Sequence, residues 1–187
     1  MEATTETMRA WVGCLACYND GRLVGEWVDA AGAADSVDDP EWCIGVHGPA
    51  LADDEAVAGH EEWWCFDHEG LPIDGECSPM HAAALADLLS AKGEPTRSAL
   101  VAWIKESNYS TDVDGLPVLS DFDDAYRGEY DSPKDYAQTW AEEAGLIPNE
   151  YTWPTSCIDW EQATWELMMD HYTAPAPNGG VYVFRRC

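Results

Sequence analysis

The sequence predicts an α+β protein, and three observations carry that expectation. Apolar and β-branched runs flank a turn signal near the N-terminus, the periodicity becomes helical after Ser78, and a β-rich run from Gly180 to Arg185 closes the chain. Strands first and helices later argue for an antiparallel sheet followed by helical units, not for alternating βαβ units.

Each element follows from local chemistry. Residues 10–17 and 23–29 read as strands on either side of Tyr18-Asn19-Asp20-Gly21, where Asn, Asp and Gly suit the positive φ angles of a hairpin turn. The Ala/Gly/Asp-rich stretch 30–59 has weak periodicity. Residues 62–66 read as a third strand, ended by Asp67-His68-Glu69-Gly70. Ser78 is the expected N-cap of a helix with Pro79 at its first position, Leu85, Leu88 and Leu89 on one face, and Gly93 as its stop. A second helix is expected over 95–107 with Leu100, Val101 and Ile104 inward, and residues 108–117 form a loop. Residues 120–126 read as a short helix. Ser132-Pro133-Lys134-Asp135 is a capping box opening a helix with Tyr136 and Trp140 inward and Gly145 as its stop. Asp159 caps a last helix bearing Trp160, Ala163, Leu167 and His171.

Composition then narrows function. The 187 residues hold 36 Asp and Glu against 9 Lys and Arg, a formal charge of -27. A disordered acidic tail would be poor in aromatics, whereas here 10 Trp, 8 Tyr and 3 Phe are interleaved with the acids. The charge therefore belongs to a folded surface. Duplex DNA carries one charge per roughly 1.7 Å of axis, so this charge equals that on about 45 Å of duplex. Such a surface repels nucleic acid and acidic membranes and fits basic partners, including the DNA-binding clefts of other proteins. Adaptation to high salt explains the three Lys but not the seven Cys or the ten Trp.

No apolar run approaches the roughly 20 residues of a membrane span, and Glu2 and Glu6 stand where a basic, apolar leader would be. A cytoplasmic protein is expected. The odd number and irregular spacing of the cysteines suit reduced thiols, which leaves Asn108-Tyr109-Ser110 a sequon without meaning. Adjacent acids such as Asp123 with Asp124, or Glu61 with Glu62, arise by chance among 36, and no phosphate loop, nucleophile elbow or H-E-x-x-H is present. No catalytic residues, cofactor or metal are expected. The alternative is a zinc-stabilised regulatory or enzymatic domain using Cys14, Cys17, Cys43 and His47. Against it, Cys14 and Cys17 fall on an expected strand, where residues three apart face opposite ways. The Asp112-Val113-Asp114-Gly115 run lacks the remaining ligands of a calcium loop and reads as a turn.

Four blocks in order carry a family resemblance. Residues 11–30, WVGCLACYNDGRLVGEWVDA, resemble the opening hairpin of the ArdA antirestriction family. Glu61-Glu62-Trp63 followed by Asp67-His68-Glu69-Gly70 resembles that family's Glu-Glu-Trp and Asp-Tyr-Glu-Gly block. Residues 122–137, FDDAYRGEYDSPKDYA, continuing through Glu142-Glu143-Ala144-Gly145-Leu146, are the most specific match. Ile158-Asp159-Trp160-Glu161 and Gly179-Gly180-Val181-Tyr182-Val183-Phe184 resemble the closing blocks. His68 in place of Tyr, the acidic N-terminus and a Cys/Gly-rich insertion around 43–58 are departures from the pattern.

The resemblance implies an elongated protein of three small domains: a β-rich domain over 9–75, a helical domain over 76–118 and an α+β domain over 119–187. It implies an antirestriction protein carried by a phage or mobile element, a homodimer joined through its C-terminal part. Its carboxylates would imitate DNA phosphates in the cleft of a type I restriction-modification enzyme or a related DNA-binding defence complex. The acids matched to the motif are Asp121, Asp123, Asp124, Glu129, Asp131 and Asp135, with Glu142 and Glu143 on the following helix and Glu61, Glu62, Asp67 and Glu69 extending the stripe. Asp123 and Asp135 also fall at the third positions of expected helices, where an acid stabilises the terminus by about 0.3–1 kcal/mol. Tyr126, Tyr130 and Tyr136 read as packing residues. Trp160, Leu167, Val181, Val183 and Phe184 crowd the part with fewest acids, four in residues 151–187, and are the expected dimer face.

Overall fold

The computed structural model describes residues 7–48, 59–106, 109–147, 153 and 155–186. Glu2, Glu6, Asn108 and the 49–58 portion of the expected insertion lie outside the described residues. The chain is α+β, with two three-stranded antiparallel sheets. It divides into two compact units: one takes the described residues through Gly93 with Asp112–Leu116, the other Glu94–Thr111 with the described residues from Pro117 onward.

In the first unit, β1 (Arg9–Cys14) lies between β2 (Gly25–Asp29) and β3 (Trp63–Glu69). Trp11 faces Trp27 across one pairing and Asp67 across the other, and a bulge follows Trp11 on the β3 side. The expected hairpin is modified. β1 stops at Cys14 and a helical turn, α1 (Leu15–Asn19), intervenes, because the Asp20 N–H bonds back to the carbonyls of Ala16 and Cys17. Gly21 takes the positive φ that the turn signal demanded. β3 also runs through Asp67-His68-Glu69, which alternation alone had marked as a stop, and Gly70 turns the chain with φ 77°.

Among its described residues the weakly periodic stretch holds a 3₁₀ turn over Ala30–Gly32 and the helices α2 (Ala33–Asp38) and α3 (Pro40–His47). Asp39-Pro40-Glu41 is their readable signal, since Asp39 caps the Glu41 N–H and Pro40 occupies the first helical position. α4 (Pro79–Ser90) begins as expected, with Ser78 Oγ accepting from the His81 N–H, and buries Ala82, Leu85, Ala86 and Leu89. Asp112 folds its loop into a turn by accepting from the N–H groups of Asp114 and Leu116.

In the second unit, α5 (Thr96–Glu106) buries Ala99, Leu100, Trp103 and Ile104. Then come α6 (Leu119–Ala125), β4 (Tyr126–Tyr130), α7 (Pro133–Glu143), α8 (Trp160–Leu167), β5 (His171–Pro175) and β6 (Val181–Arg185). The sheet order is β4-β6-β5. Two of its strands were not legible. β4 sits inside the segment read as helix and cap, and His171 starts β5 instead of ending a helix, because α8 stops at Leu167 and a 3₁₀ turn over Met168–Asp170 redirects the chain. The end of α7 does follow the sequence: Gly145 at φ 67° donates to Glu142 and Leu146 donates to Ala141, the paired bonds of a Schellman stop. Trp140, expected inward, is exposed.

Phe122 anchors this core. Its ring stacks on Tyr126 at 5.2 Å and meets Trp103 edge-on at 5.7 Å, with Phe184 beyond at 6.4 Å. Gly180 lets β6 start against β4, because a Cβ there would come within 2.5 Å of the Tyr130 carbonyl oxygen. Phe122→Ala is expected to cost about 3–5 kcal/mol of unfolding free energy, and Gly180→Ala about 1–3 kcal/mol, both read from urea denaturation midpoints.

Candidate functional site

Residues 121–143 carry eight acids against Arg127 and Lys134. Helix ends and one strand present them. α6 begins at Leu119, so Asp121 takes the third position that the sequence had assigned to Asp123, while Asp123 and Asp124 are exposed on its last turn. In α7, Ser132 Oγ accepts the Asp135 N–H at 3.1 Å, and the Asp135 carboxylate accepts the Asp131 N–H at 3.3 Å. Asp135 thus both completes a cap and faces the surface. Glu129, on β4, receives the Asn178 amide at 3.4 Å, and Asp131, Glu142 and Glu143 are exposed. Arg127 directs its guanidinium to the carbonyls of Tyr126 and Asp124, at 3.2 and 2.9 Å, so this cation braces backbone.

The tyrosines between these acids register their field. Burial, then Tyr182 and Glu129, push the Tyr126 phenol up to about 12. Burial, then Glu143 and Asp135, push Tyr130 up as well. All three expected packing tyrosines pack: Tyr126 on Phe122, Tyr130 by donating to the Arg127 carbonyl, and Tyr136 against His171. His171 is buried, its ring bonded to the Leu167 carbonyl at 2.9 Å and the Tyr136 hydroxyl at 3.1 Å.

In the first unit, Glu61 and Glu62 lead into β3, Asp67 and Glu69 lie on it, and all four are exposed. Of the residues assigned to an interface, Val183 and Phe184 are fully buried in their own unit, Val181 opens β6, and Trp160 and Leu167 are half-buried on α8. Trp165 and Met169, which sequence reasoning did not select, are 60% and 54% exposed.

The Cys/His residues are arranged differently from the expected set. Cys14, Cys17, His47 and His60 bring one ligand atom each to within 4.8 Å of one another. Cys14 ends β1 in an extended conformation and Cys17 follows on α1, so the change of backbone brings together two side chains that a continuous strand would have separated. His60 Nδ1 stands 3.1 Å from the Cys14 sulfur and 3.4 Å from the Cys17 sulfur. His47 Nδ1 bonds the Cys43 carbonyl at 2.7 Å, and its buried Nε2 has no hydrogen-bond partner. A buried orphan of this kind costs about 1–3 kcal/mol. Cys43 stays outside the group and gives its thiol to the Val37 carbonyl. Burial, then Cys14, push the Cys17 thiol up. His60 was not in the ligand set read from the sequence, Cys14, Cys17, Cys43 and His47. The usable signal was the Cys-x-x-Cys pair with two histidines downstream.

These features define an acidic α+β protein that presents carboxylates from helix ends and strands of both units. A family model described as Antirestriction protein (ArdA) matches residues 10–182. The chain belongs to that family, whose members are inhibitors, and membership supports an antirestriction function and interaction with restriction-modification enzymes. Comparison with curated proteins finds no match. No helix among the described residues is long and apolar enough to cross a membrane.

The Tyr126 shift gives a pH dependence. Its folded value, about 12, lies above the ordinary 10.0, so its contribution to stability is complete below pH 10 and is lost as pH rises through 12. Denaturant midpoints measured across that window should fall less in Tyr126→Phe than in the unaltered chain.

Proposed function

We propose that this protein is a DNA mimic that inhibits type I restriction-modification enzymes, or a related DNA-bound defence complex, by occupying the cleft that would hold DNA. It acts by occupancy, without catalysis. The observation that carries the reading is the density of carboxylates over residues 121–143, in a chain of formal charge -27 that belongs to an antirestriction family. The physics favours competition with DNA. A duplex entering a basic cleft must shed condensed counterions and pay for any bending, whereas carboxylates fixed on a folded backbone are already in place. The surface is Asp121, Asp123, Asp124, Glu129, Asp131, Asp135, Glu142 and Glu143, extended by Glu61, Glu62, Asp67 and Glu69.

The same reading includes a homodimer through the C-terminal part, where like charges are fewest. Trp165 on α8 and Met169 just after it supply exposed apolar surface, and Trp160 and Leu167 on the same helix are half-buried. Val183 and Phe184, assigned to the same face from the sequence, are buried within their own unit.

Inhibition should weaken steeply as salt rises from low to physiological levels, and the protein should displace duplex DNA from a purified methyltransferase complex while binding no DNA itself. Simultaneous binding of both ligands would refute the shared cleft. Function should also distribute over the acids. Asp124→Asn or Glu129→Gln should reduce inhibition of DNA cleavage only slightly, and neutralising six or more acids between Asp121 and Glu143 should reduce it severely, with folding checked by circular dichroism. One all-or-none position would point to a catalytic group or a metal ligand instead. Sedimentation equilibrium should give a dimer at micromolar concentration, and Trp165→Glu should shift it towards monomer.

A further inference from the structure

Four observations converge on the cluster at the end of β1. The donor set is two sulfurs and two imidazole nitrogens, all within 4.8 Å of one another. Bond lengths typical of zinc place the donor atoms of a tetrahedral site about 3.4–3.8 Å apart, and the two sulfur–nitrogen distances here are 3.1 and 3.4 Å. The His47 ring is already set for ligation: the Cys43 carbonyl holds its Nδ1 proton, which turns the lone pair of Nε2 inward. That atom is buried and has no hydrogen-bond partner among the described residues. Both cysteines are buried, and Trp63 packs against His47 at 5.2 Å, with Trp42 behind it at 4.9 Å.

We propose that Cys14, Cys17, His47 and His60 bind one zinc ion as a closed structural site. Four protein donors leave no position for water or substrate, which separates this site from catalytic zinc centres, and an S₂N₂ tetrahedron suits zinc among the common divalent ions. His60 binds through Nδ1 and His47 through Nε2. On binding, two Zn–S and two Zn–N bonds form, the two thiol protons leave to solvent, and nothing is oxidised or reduced. The two thiolates balance the ion, so the acidic surface keeps its net charge. The ligands come from the end of β1, from α1, from the end of α3 and from the residues before β3. One ion therefore ties the central strand of the first sheet to both ends of the chain segment between His47 and His60.

The test uses the full chain purified from zinc-supplemented cells and dialysed. Elemental analysis should find about one zinc per chain, and its removal by a chelator should lower the Tm. Chelated protein titrated with Co²⁺ should develop the thiolate charge-transfer absorption of a tetrahedral S₂N₂ site, and titration with Zn²⁺ should release about two protons and restore the Tm. Cys43→Ser and Cys157→Ser should keep the absorption, and Cys14→Ser or Cys17→Ser should lose it. If the latter variants do not fold, the cobalt spectrum of the unaltered chain decides. Cobalt that binds without a thiolate band is held by surface carboxylates and overturns the proposal, as does a band that survives Cys14→Ser or disappears in Cys43→Ser.

Discussion

Like-charge repulsion among 36 carboxylates is the constraint to which the rest of this structure answers. A chain with this excess of one sign gains nothing electrostatically from compaction, so apolar burial must supply the stability. The aromatic content meets that need. Trp103, Phe122, Tyr136, Tyr182 and Phe184 are buried in one unit, and Trp63 with Leu85 and Leu89 in the other. Where the acids have a second structural use, it is one that tolerates charge: Asp39, Asp135 and Asp159 serve helix N-termini, where the helix dipole favours a negative group.

Capping and surface charge are therefore compatible demands on the same residues. In the segment 121–143 the backbone changes from α6 to β4 to α7, and each change exposes acids at an end while burying an aromatic. Phe122 goes under α6, Tyr126 joins the stack, and Tyr136 bonds His171. Arg127 gives its guanidinium to two backbone carbonyls. These acids share elements with core residues, and in the proposed role such preorganisation would favour them over a flexible polyanion.

In the proposed zinc site the same constraint would be met by other means, because a divalent ion compensated by two thiolates would add a cross-link without adding charge. Of the four residues only Cys14 lies on β1, the strand that pairs with both β2 and β3, and Cys17, His47 and His60 come from α1, α3 and the approach to β3. The other buried thiol pair is different in kind: Cys65 and Cys77 face each other across a backbone bridge, and the hydrogen bond that the Cys65 thiol donates to Cys77, together with burial, pushes the Cys65 thiol up.

Much of this was written locally. Composition determined that the charge belongs to a folded surface, cap residues determined where α4, α7 and α8 begin, Gly145 determined where α7 stops, and four motif blocks determined the family. Tertiary structure decided what local pattern could not. The strands β4 and β5 exist because β6 offers both its edges, and short strands beside a helix carry too little periodicity of their own to announce a partner, which for β4 lies far along the chain. Likewise Cys14-x-x-Cys17 reads as two opposed faces of a strand until the Asp20 N–H draws the chain into a helical turn, and only the packing of α3 and the approach to β3 bring His47 and His60 to the same point. Spacing along a sequence measures contour length, whereas a ligand set is defined by distance in space, and the path between them is set by backbone hydrogen bonds to residues far away in the chain.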